Sequence, residues 1–346
     1  METKILKVDS PDSPAIYEAA EIIKCGGLVV FPTETVYGLG ADALSAKAAK
    51  KIYAAKGRPS DNPLIIHISS PEEAEKYTYT TELYYRLARE FMPGPLTVIM
   101  RAREIVPRET RGGLDTVAVR CPEHPIARSL IALAGTPIAA PSANLSGSPS
   151  PTNVRHVVDD MMGRVDMIID GGSSDFGLES TIVKIEEDGT LTLLRPGRIT
   201  PEDLKRVCDT VRLAPAVTAK LAEGERVLSP GMKYRHYAPK APLKLLNGGF
   251  DKILAFLSEK AGQNVAIIAY DEDAEALRRQ LPTLRIFLLG SKCDEFSQAK
   301  NLFSVLREAD EGSFDEIYAP LPGKEGIGLA LYNRMIRAAA HTIIKL

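Results

Sequence analysis

The fold is decided first by the stretch Gly27-Leu28-Val29-Val30-Phe31-Pro32, an apolar run that predicts a β-strand. The polar Thr33-Glu34-Thr35 follows it, and then Tyr37-Gly38-Leu39-Gly40, which predicts a glycine-rich turn. Helical spacing recurs at residues 45–55 and 81–91. Further strands are predicted at residues 64–66, 96–100, 116–120, 137–140, 167–170, 181–185 and 191–195. Strands among a few helices indicate one large, twisted mixed sheet.

The character of the chain changes after residue 207. Residues 229–242 have no apolar period, and the dense Tyr234-Arg235-His236-Tyr237 within them predicts an ordered linker that folds over the site as a lid. Apolar runs at 243–246, 265–270, 286–289 and 317–321 then alternate with helical stretches at 251–260, 273–280, 294–308 and 325–343. We therefore expect a first α/β domain at 1–207, a linker at 208–242, and a small three-layer α/β domain with a parallel sheet at 243–346.

Composition is that of a globular protein and excludes several classes. The chain has 346 residues, of which 45% are hydrophobic and 25% charged, with a net charge of −2, so any RNA contact would have to be local. Its four cysteines are far apart, which argues against a zinc site and a disulfide framework and predicts reduced, mostly buried thiols. We expect no membrane segment and a cytoplasmic location, because no signal peptide opens the chain and no apolar run reaches about 18 residues.

Two short polar motifs interrupt apolar runs. They are Lys56-Gly57-Arg58-Pro59 and Pro141-Ser142-Ala143-Asn144. Lys is a mobile point charge and Arg a planar fork of donors, and together they suit a polyphosphate. In the second domain, Pro322-Gly323-Lys324-Glu325-Gly326 lacks the spacing of a phosphate-binding loop, so that domain is expected to support rather than catalyse.

Polar residues also gather where predicted strands end. They include His67, Arg120, Ser180 and Arg195, and such ends commonly hold the ligand of an open α/β sheet. Taken singly, each could be only a turn, and the residues alone favour His67 as a hydrogen-bonded core residue. His124, His156 and His341 are expected on the surface.

Four segments together resemble the YrdC family. They are Phe31-Pro32-Thr33-Glu34-Thr35-Val36-Tyr37-Gly38-Leu39, Lys56-Gly57-Arg58-Pro59, Val117-Ala118-Val119-Arg120-Cys121-Pro122 and Ala140-Pro141-Ser142-Ala143-Asn144. The linker and the tail resemble its long two-domain form, with a Rossmann-like second domain. The resemblance implies a nucleotidyltransferase that makes L-threonylcarbamoyl-AMP and pyrophosphate from L-threonine, bicarbonate and ATP. That product feeds threonylcarbamoyladenosine modification of tRNA through a downstream threonylcarbamoyl transferase complex.

The resemblance also assigns roles to residues. It implies ATP contacts at Lys56, Arg58, Asn62, Thr116, Ser142, Asn144, Arg195 and Tyr234. It implies threonine contacts at Thr35, His67, Arg120 and Ser180. Lys56 and Arg58 are the candidates for catalytic charge, and Mg²⁺ is expected on the triphosphate without protein ligands. No general base is identified.

Two alternatives remain at this point. The first is an RNA-binding module without catalysis, whose basic face would use Lys50, Lys51, Lys56, Arg58, Arg101, Arg103, Arg108 and Arg111. Polar threonine contacts would have no purpose there. The second is a carbamoyltransferase that uses carbamoyl phosphate, which is disfavoured because the acylphosphatase and zinc-finger segments expected of such relatives are not seen.

Overall fold

A computed structural model describes residues 2–219 and 237–346 of the chain. These residues form two compact units, the first within residues 2–217 for the most part and the second mainly 237–346. Each unit is built on its own sheet, and the two are taken separately below.

The first unit contains a large mixed sheet, which confirms the predicted fold class. Its described strands are β1 (Lys4–Lys7), β2 (Val29–Phe31), β3 (Gly38–Asp42), β4 (Ile65–His67), β5 (Leu96–Arg101), β6 (Thr116–Arg120), β7 (Ile138–Ala139), β8 (Met167–Asp170), β9 (Thr181–Ile185), β10 (Leu191–Arg195) and β11 (Val211–Leu213). Their order in the sheet is β1-β8-β2-β3-β7-β4-β6-β5-β9-β10-β11. β11 pairs in parallel with β10, although its residues fall in the stretch that the sequence assigns to the linker.

The predicted turn at residues 37–40 is wrong, because this segment opens strand β3. β3 runs antiparallel to β2, with Gly38 opposite Phe31 and Gly40 opposite Val29. A Cβ added at Gly40 would lie 2.7 Å from Cε1 of Phe31 and 2.8 Å from Cγ2 of Ile138. The glycines therefore make room for neighbouring side chains on the sheet, a use that local turn signals do not reveal.

Helices cover this sheet. They are α1 (Pro14–Lys24), α2 (Ala46–Lys56), α3 (Glu82–Phe91), α4 (Pro125–Ala134), α5 (Val154–Met161) and α6 (Pro201–Lys205). α1 and α4 share a core cluster with β2 and β8, in which Ile16, Ile23, Phe31 and Leu130 are buried. α2 is capped at both ends. At the N-cap the Ser45 hydroxyl accepts a hydrogen bond from the backbone N–H of Ala48, and at the C-cap Gly57 adopts the left-handed conformation, with φ 60°. This C-cap places Lys56 in the last helical turn.

The second unit is a parallel sheet with helices in every described crossover. Its strands are β12 (Leu243–Asn247), β13 (Val265–Tyr270), β14 (Arg285–Gly290), β15 (Glu316–Pro320) and β16 (Ile343–Lys345), in the order β14-β13-β15-β12-β16. Its helices are α7 (Phe250–Ser258), α8 (Asp271–Gln280), α9 (Glu295–Glu311) and α10 (Gly328–Ala338). The helix predicted at 325–343 is shorter than expected, since the chain turns after Ala338 and adds β16 beside β12.

Two further expectations can be compared with the structure. Cys121 and Cys208 are buried, whereas Cys25 and Cys293 are exposed, so burial of the thiols is confirmed for only two of the four. Burial raises the pKa of Cys121 to about 12, which keeps this thiol protonated. In the ranges 2–219 and 237–346, no helix is long and apolar enough to cross a membrane.

Candidate functional site

Two of the predicted threonine ligands lie side by side at strand ends. His67 ends β4 and Arg120 ends β6, and the parallel register pairs the two residues directly. Both are buried, and the His67 ring meets that of Phe31 edge to face, with 6.4 Å between centroids. Paired positions point to the same face of a sheet, so the two side chains lie side by side on one face.

A buried ion pair joins Glu34 to one of these two residues. Nη2 of Arg120 donates to Oε1 of Glu34 over 2.5 Å, and each side chain is only 5% exposed. Glu34 lies between Thr33 and Thr35, whose hydroxyl oxygens are 2.9 Å apart, and all three residues are buried. Sequence reasoning missed Glu34 as a site residue. Its position inside the polar triplet after β2 is the signal that could have found it.

A hydroxyl network joins Ser180 to this strand pair. The Ser180 hydroxyl lies 2.8 Å from that of Thr97, which is opposite Arg120 in the β5–β6 pair. Arg195 donates from Nε to the carbonyl oxygen of Ser180 over 3.0 Å and from Nη2 to its hydroxyl over 3.1 Å. The structure thus links Ser180 and Arg195 to each other and to the strand that faces Arg120.

The two polar motifs of the sequence are bonded to each other. The ammonium of Lys56 donates to the backbone carbonyls of Ser142 and of Asn144, the latter at 2.5 Å. The Ser142 hydroxyl donates in turn to Oδ1 of Asn144 over 2.5 Å, and the N–H of Ser146 donates to the Lys56 carbonyl. Lys56 is 2% exposed, so its charge is buried at the end of α2, against the loop that contains Ser142 and Asn144.

Arg58 and Asn62 form the neighbouring part of the site. Nη2 of Arg58 donates to the carbonyls of Asn62 and Pro63, at 3.3 and 3.1 Å. β7 runs antiparallel to β4, with Ala139 opposite Ile66. The chain that continues from β7 to Ser142 therefore runs toward the amino end of β4, and Asn62 lies just before that end.

Thr116 is at this same edge and not beside Arg120. It opens β6, which is parallel to β4, and lies four residues before Arg120, or about 13 Å along a strand. An even spacing keeps both side chains on one face. Among the described residues, the predicted nucleotide ligands Asn62, Thr116 and Ser142 therefore lie at the amino ends of β4 and β6. The predicted threonine ligands His67 and Arg120 lie at the carboxyl ends. Tyr234 lies outside the described residues.

Several buried polar atoms of these site residues lack a hydrogen-bond partner. Within the described ranges eight such side-chain atoms occur, and four of them are Oε2 of Glu34, Oδ1 of Asn62, Nδ1 of His67 and Nε of Arg120. A buried polar group without a partner costs about 1–3 kcal/mol. Of these, Glu34, His67 and Arg120 lie together at one end of the strands, so this part of the site is suited to pairing with a polar ligand.

Electrostatics fix the protonation state of His67. Burial, with the positive charge of Arg120 beside it, lowers the pKa of His67 to about 3, so the ring is neutral at physiological pH. A neutral imidazole offers one donor and one acceptor. His156, by contrast, corrects the surface expectation: it is buried and its ring lies against Thr152 and Asn153 at the start of α5.

The described residues offer no resident metal site. In the ranges that the structure describes, no group of three or more His, Cys, Asp or Glu side chains is arranged to hold a metal ion. The site instead combines buried cations, hydroxyls and one carboxylate, a set suited to binding anions and an amino acid.

The fold and this pocket define the class of two-domain YrdC-type proteins, in which a mixed sheet with a polar face is followed by a small parallel α/β domain. A family model described as "Telomere recombination", covering the Sua5, YciO and YrdC proteins, matches residues 21–197. A second model, "Threonylcarbamoyl-AMP synthase, C-terminal domain", matches residues 199–340.

Relatives agree with these matches over the full chain. Threonylcarbamoyl-AMP synthase of Pyrococcus abyssi is 45% identical over 94% of this chain and 94% of its own length, and that of Bacillus subtilis is 41% identical over 100% of both. The crystal structure of P. abyssi Sua5 complexed with L-threonine superposes with a TM-score of 0.87 at 42% identity, covering 100% of both chains. The chain belongs to the threonylcarbamoyl-AMP synthase family.

Proposed function

We propose that this protein is a nucleotidyltransferase that converts L-threonine, bicarbonate and ATP into L-threonylcarbamoyl-AMP and pyrophosphate. The observation that carries the proposal is the buried Glu34–Arg120 pair, in which each partner keeps one polar atom without a hydrogen-bond partner. An amino acid is a zwitterion, and its ammonium and carboxylate complement these two atoms. The similarity to curated synthases over the whole chain supports the same activity.

Each group of threonine then has a partner in the pocket. Arg120 holds the carboxylate, since its Nε is an unused donor beside the Nη2 that binds Glu34. Oε2 of Glu34 accepts from the amine before carbamoylation. His67 and Ser180 receive the side-chain hydroxyl, and Thr35 closes the pocket beside Glu34.

The reaction needs the threonine and nucleotide parts of the site on one face. The ammonium first loses a proton to solvent, and the free amine attacks the bicarbonate carbon; water leaves and a carbamate results. A carbamate oxygen then attacks the α-phosphorus of ATP and releases pyrophosphate. These steps gather several negative charges, which buried cations stabilise most when water is excluded. Lys56, Arg58 and Arg195 supply that charge, and Lys56 also holds the Ser142–Asn144 loop in position.

The residues at the amino ends of β4 and β6 contact the nucleotide. Asn62, Thr116, Ser142 and Asn144 bind the ribose and phosphates of ATP, and Tyr234 is assigned to the nucleotide by family resemblance alone. Mg²⁺ bound to the triphosphate would supply charge neutralisation, with phosphate oxygens and water as its ligands. Transfer of the product to tRNA by a threonylcarbamoyl transferase complex, and weak RNA contact by exposed cations, belong to the same proposal.

The test measures product formation directly. Protein is incubated with labelled bicarbonate, L-threonine, ATP and Mg²⁺, and labelled adenylate and pyrophosphate are followed with each substrate omitted in turn. Pyrophosphate release is expected to require both threonine and bicarbonate. Serine should have a lower kcat/KM than threonine, by a factor that corresponds to about 1–3 kcal/mol of transition-state free energy, because it lacks the methyl group. Equal ATP turnover without threonine and bicarbonate would contradict the assignment.

A further inference from the structure

The second unit contains a cleft that the proposed reaction does not use. It has a volume of about 480 Å³ and lies where strands β12, β13 and β15 end. Its lining includes Gly249, Phe250, Tyr270, Asp273, Lys292 and Pro320. This volume falls within the roughly 300–1,000 Å³ of sites that enclose small organic ligands.

Topology explains why a cleft forms here. β13 and β15 are adjacent, but the connection that leaves β13 runs outward to β14, whereas the connection that leaves β15 runs past β12 to β16. Right-handed crossovers in opposite directions place α8 and α10 on opposite faces of the sheet. The loops therefore separate above the carboxyl ends of β13 and β15, which is the place where open parallel sheets bind ligands.

A lysine is held in a defined position in this cleft. Nζ of Lys292 donates to Oδ1 of Asp273 over 2.5 Å and lies 5.6 Å from the ring centre of Phe250 and 5.9 Å from that of Tyr270. An ammonium has three donors, and Asp273 accepts one of them. Both aromatic residues are only half-buried, so the cleft offers a cation next to two aromatic side chains that are partly accessible.

The start of α7 adds donors at the same place. β12 is followed by Gly248 and Gly249, and Gly249 is the N-cap of α7 with no side-chain hydrogen bond to the first helical turn. A Cβ added at Gly249 would meet no atom within 4 Å, so space remains above this backbone. Uncapped N–H groups and the positive end of the helix dipole favour an anion there.

We propose that this cleft binds a nucleoside monophosphate, with the phosphate on Lys292 and the start of α7 and the base against the rings of Phe250 and Tyr270. A free amino acid fits less well, because the carboxylates that would receive its ammonium already have partners: Asp273 binds Lys292, and Glu272 accepts from Ser291 and from the Lys292 backbone. Such an amino acid would also leave most of the cleft unfilled.

Calorimetric titration of the full-length protein with AMP, GMP, CMP and UMP tests this directly. At least one nucleotide should bind, and Lys292→Glu should weaken it by about tenfold or more, the loss expected for a charge-assisted contact. Lys300→Glu makes the same charge change on the exposed side of α9 and should leave binding unchanged. Adenosine and ribose 5-phosphate should each bind more weakly than AMP by about tenfold or more, because each lacks one half of the contacts.

Two more variants separate this cleft from the nucleotide site of the first unit. Arg58→Ala should leave the Lys292-dependent binding intact. Gly249 lines the cleft, and a Cβ added there meets no protein atom within 4 Å, so Gly249→Leu should occupy the cleft and abolish that binding while the circular dichroism spectrum stays that of the parent. The proposal is overturned if no nucleotide binds up to about 5 mM, if Arg58→Ala removes all binding, or if Lys292→Glu and Gly249→Leu both bind like the parent.

Discussion

Replacing Glu34 by Gln tests the central feature of the first unit, because it removes one charge and almost no volume. The N–O distance to Arg120 is 2.5 Å and both side chains are 5% exposed, so the guanidinium would lose its counter-charge inside the protein. Breaking a buried ion pair in this way costs about 3–5 kcal/mol of unfolding free energy. The matched control is Glu18→Gln, whose partner Lys4 is 2.7 Å away but where the pair is 50% and 45% exposed. That control should cost about 0–1 kcal/mol.

The assay must report the first unit alone, because a thermal melt would sum two units. Hydrogen exchange, followed by mass spectrometry on peptides that contain β4 and β6, gives the free energy of opening for these strands. Adding Arg120→Met to Glu34→Gln should restore part of the lost stability, with a coupling energy of about 0.5–3 kcal/mol, since the uncompensated charge is then gone. Threonine binding should be lost in both variants, because the single variant lacks one partner of the zwitterion and the double variant lacks both.

Two results would refute this reasoning. If Glu34→Gln loses no more stability than Glu18→Gln, the pair is not desolvated as the structure has it. If threonine affinity survives in Glu34→Gln while stability falls, Glu34 is structural and the amine is bound elsewhere.

Three further predictions follow from single residues. Arg120→Ala should weaken the binding of threonine and Arg58→Ala the binding of ATP, each by about 2–4 kcal/mol in binding free energy. Calorimetry that shows the same ligand affected in both variants would contradict the assigned roles. The pKa of His67 is about 3 in the folded protein and about 6.5 in the unfolded chain, so the free energy of unfolding should be highest above pH 6.5 and should fall as the pH is lowered toward 3. The expected loss between pH 7.5 and pH 5 is about 2 kcal/mol. Urea unfolding of His67→Gln should not show this loss. Gly40→Ala should cost about 1–3 kcal/mol through its contact with Phe31, whereas Gly323→Ala, which meets nothing within 4 Å, should unfold in urea like the parent.

The elements of the second unit could be predicted well, because their burial follows local patterns. β13 occupies residues 265–270 as expected, since a strand covered on both faces needs a continuous apolar run. β16 was not predicted, because Ile343 and Ile344 also suit the apolar spacing of the preceding helix, and only pairing with β12 decides between the two.

The site was predictable as a set of residue types but not as a geometry. Lys56 and Asn144 stand out as motifs, yet nothing in the spacing says that the ammonium of one binds the carbonyl of the other. Glu34 could not be distinguished from an exposed turn carboxylate without the partner Arg120, which is 86 residues away. Strand register, which places Arg120 of β6 beside His67 of β4, is likewise a long-range property.

The strand order of the first sheet also governs how the chain folds during synthesis. β1 pairs with β8, so residues 4–7 find their partners at residues 167–170. At about 5–20 residues per second, the first strand leaves the ribosome roughly 8–30 s before its neighbour exists. During that interval the first strand is unpaired, and charged residues such as Lys4 and Lys7 disfavour pairing with other chains. The sheet therefore cannot close before residues 167–170 are translated, and β10, which ends at Arg195, is made later still.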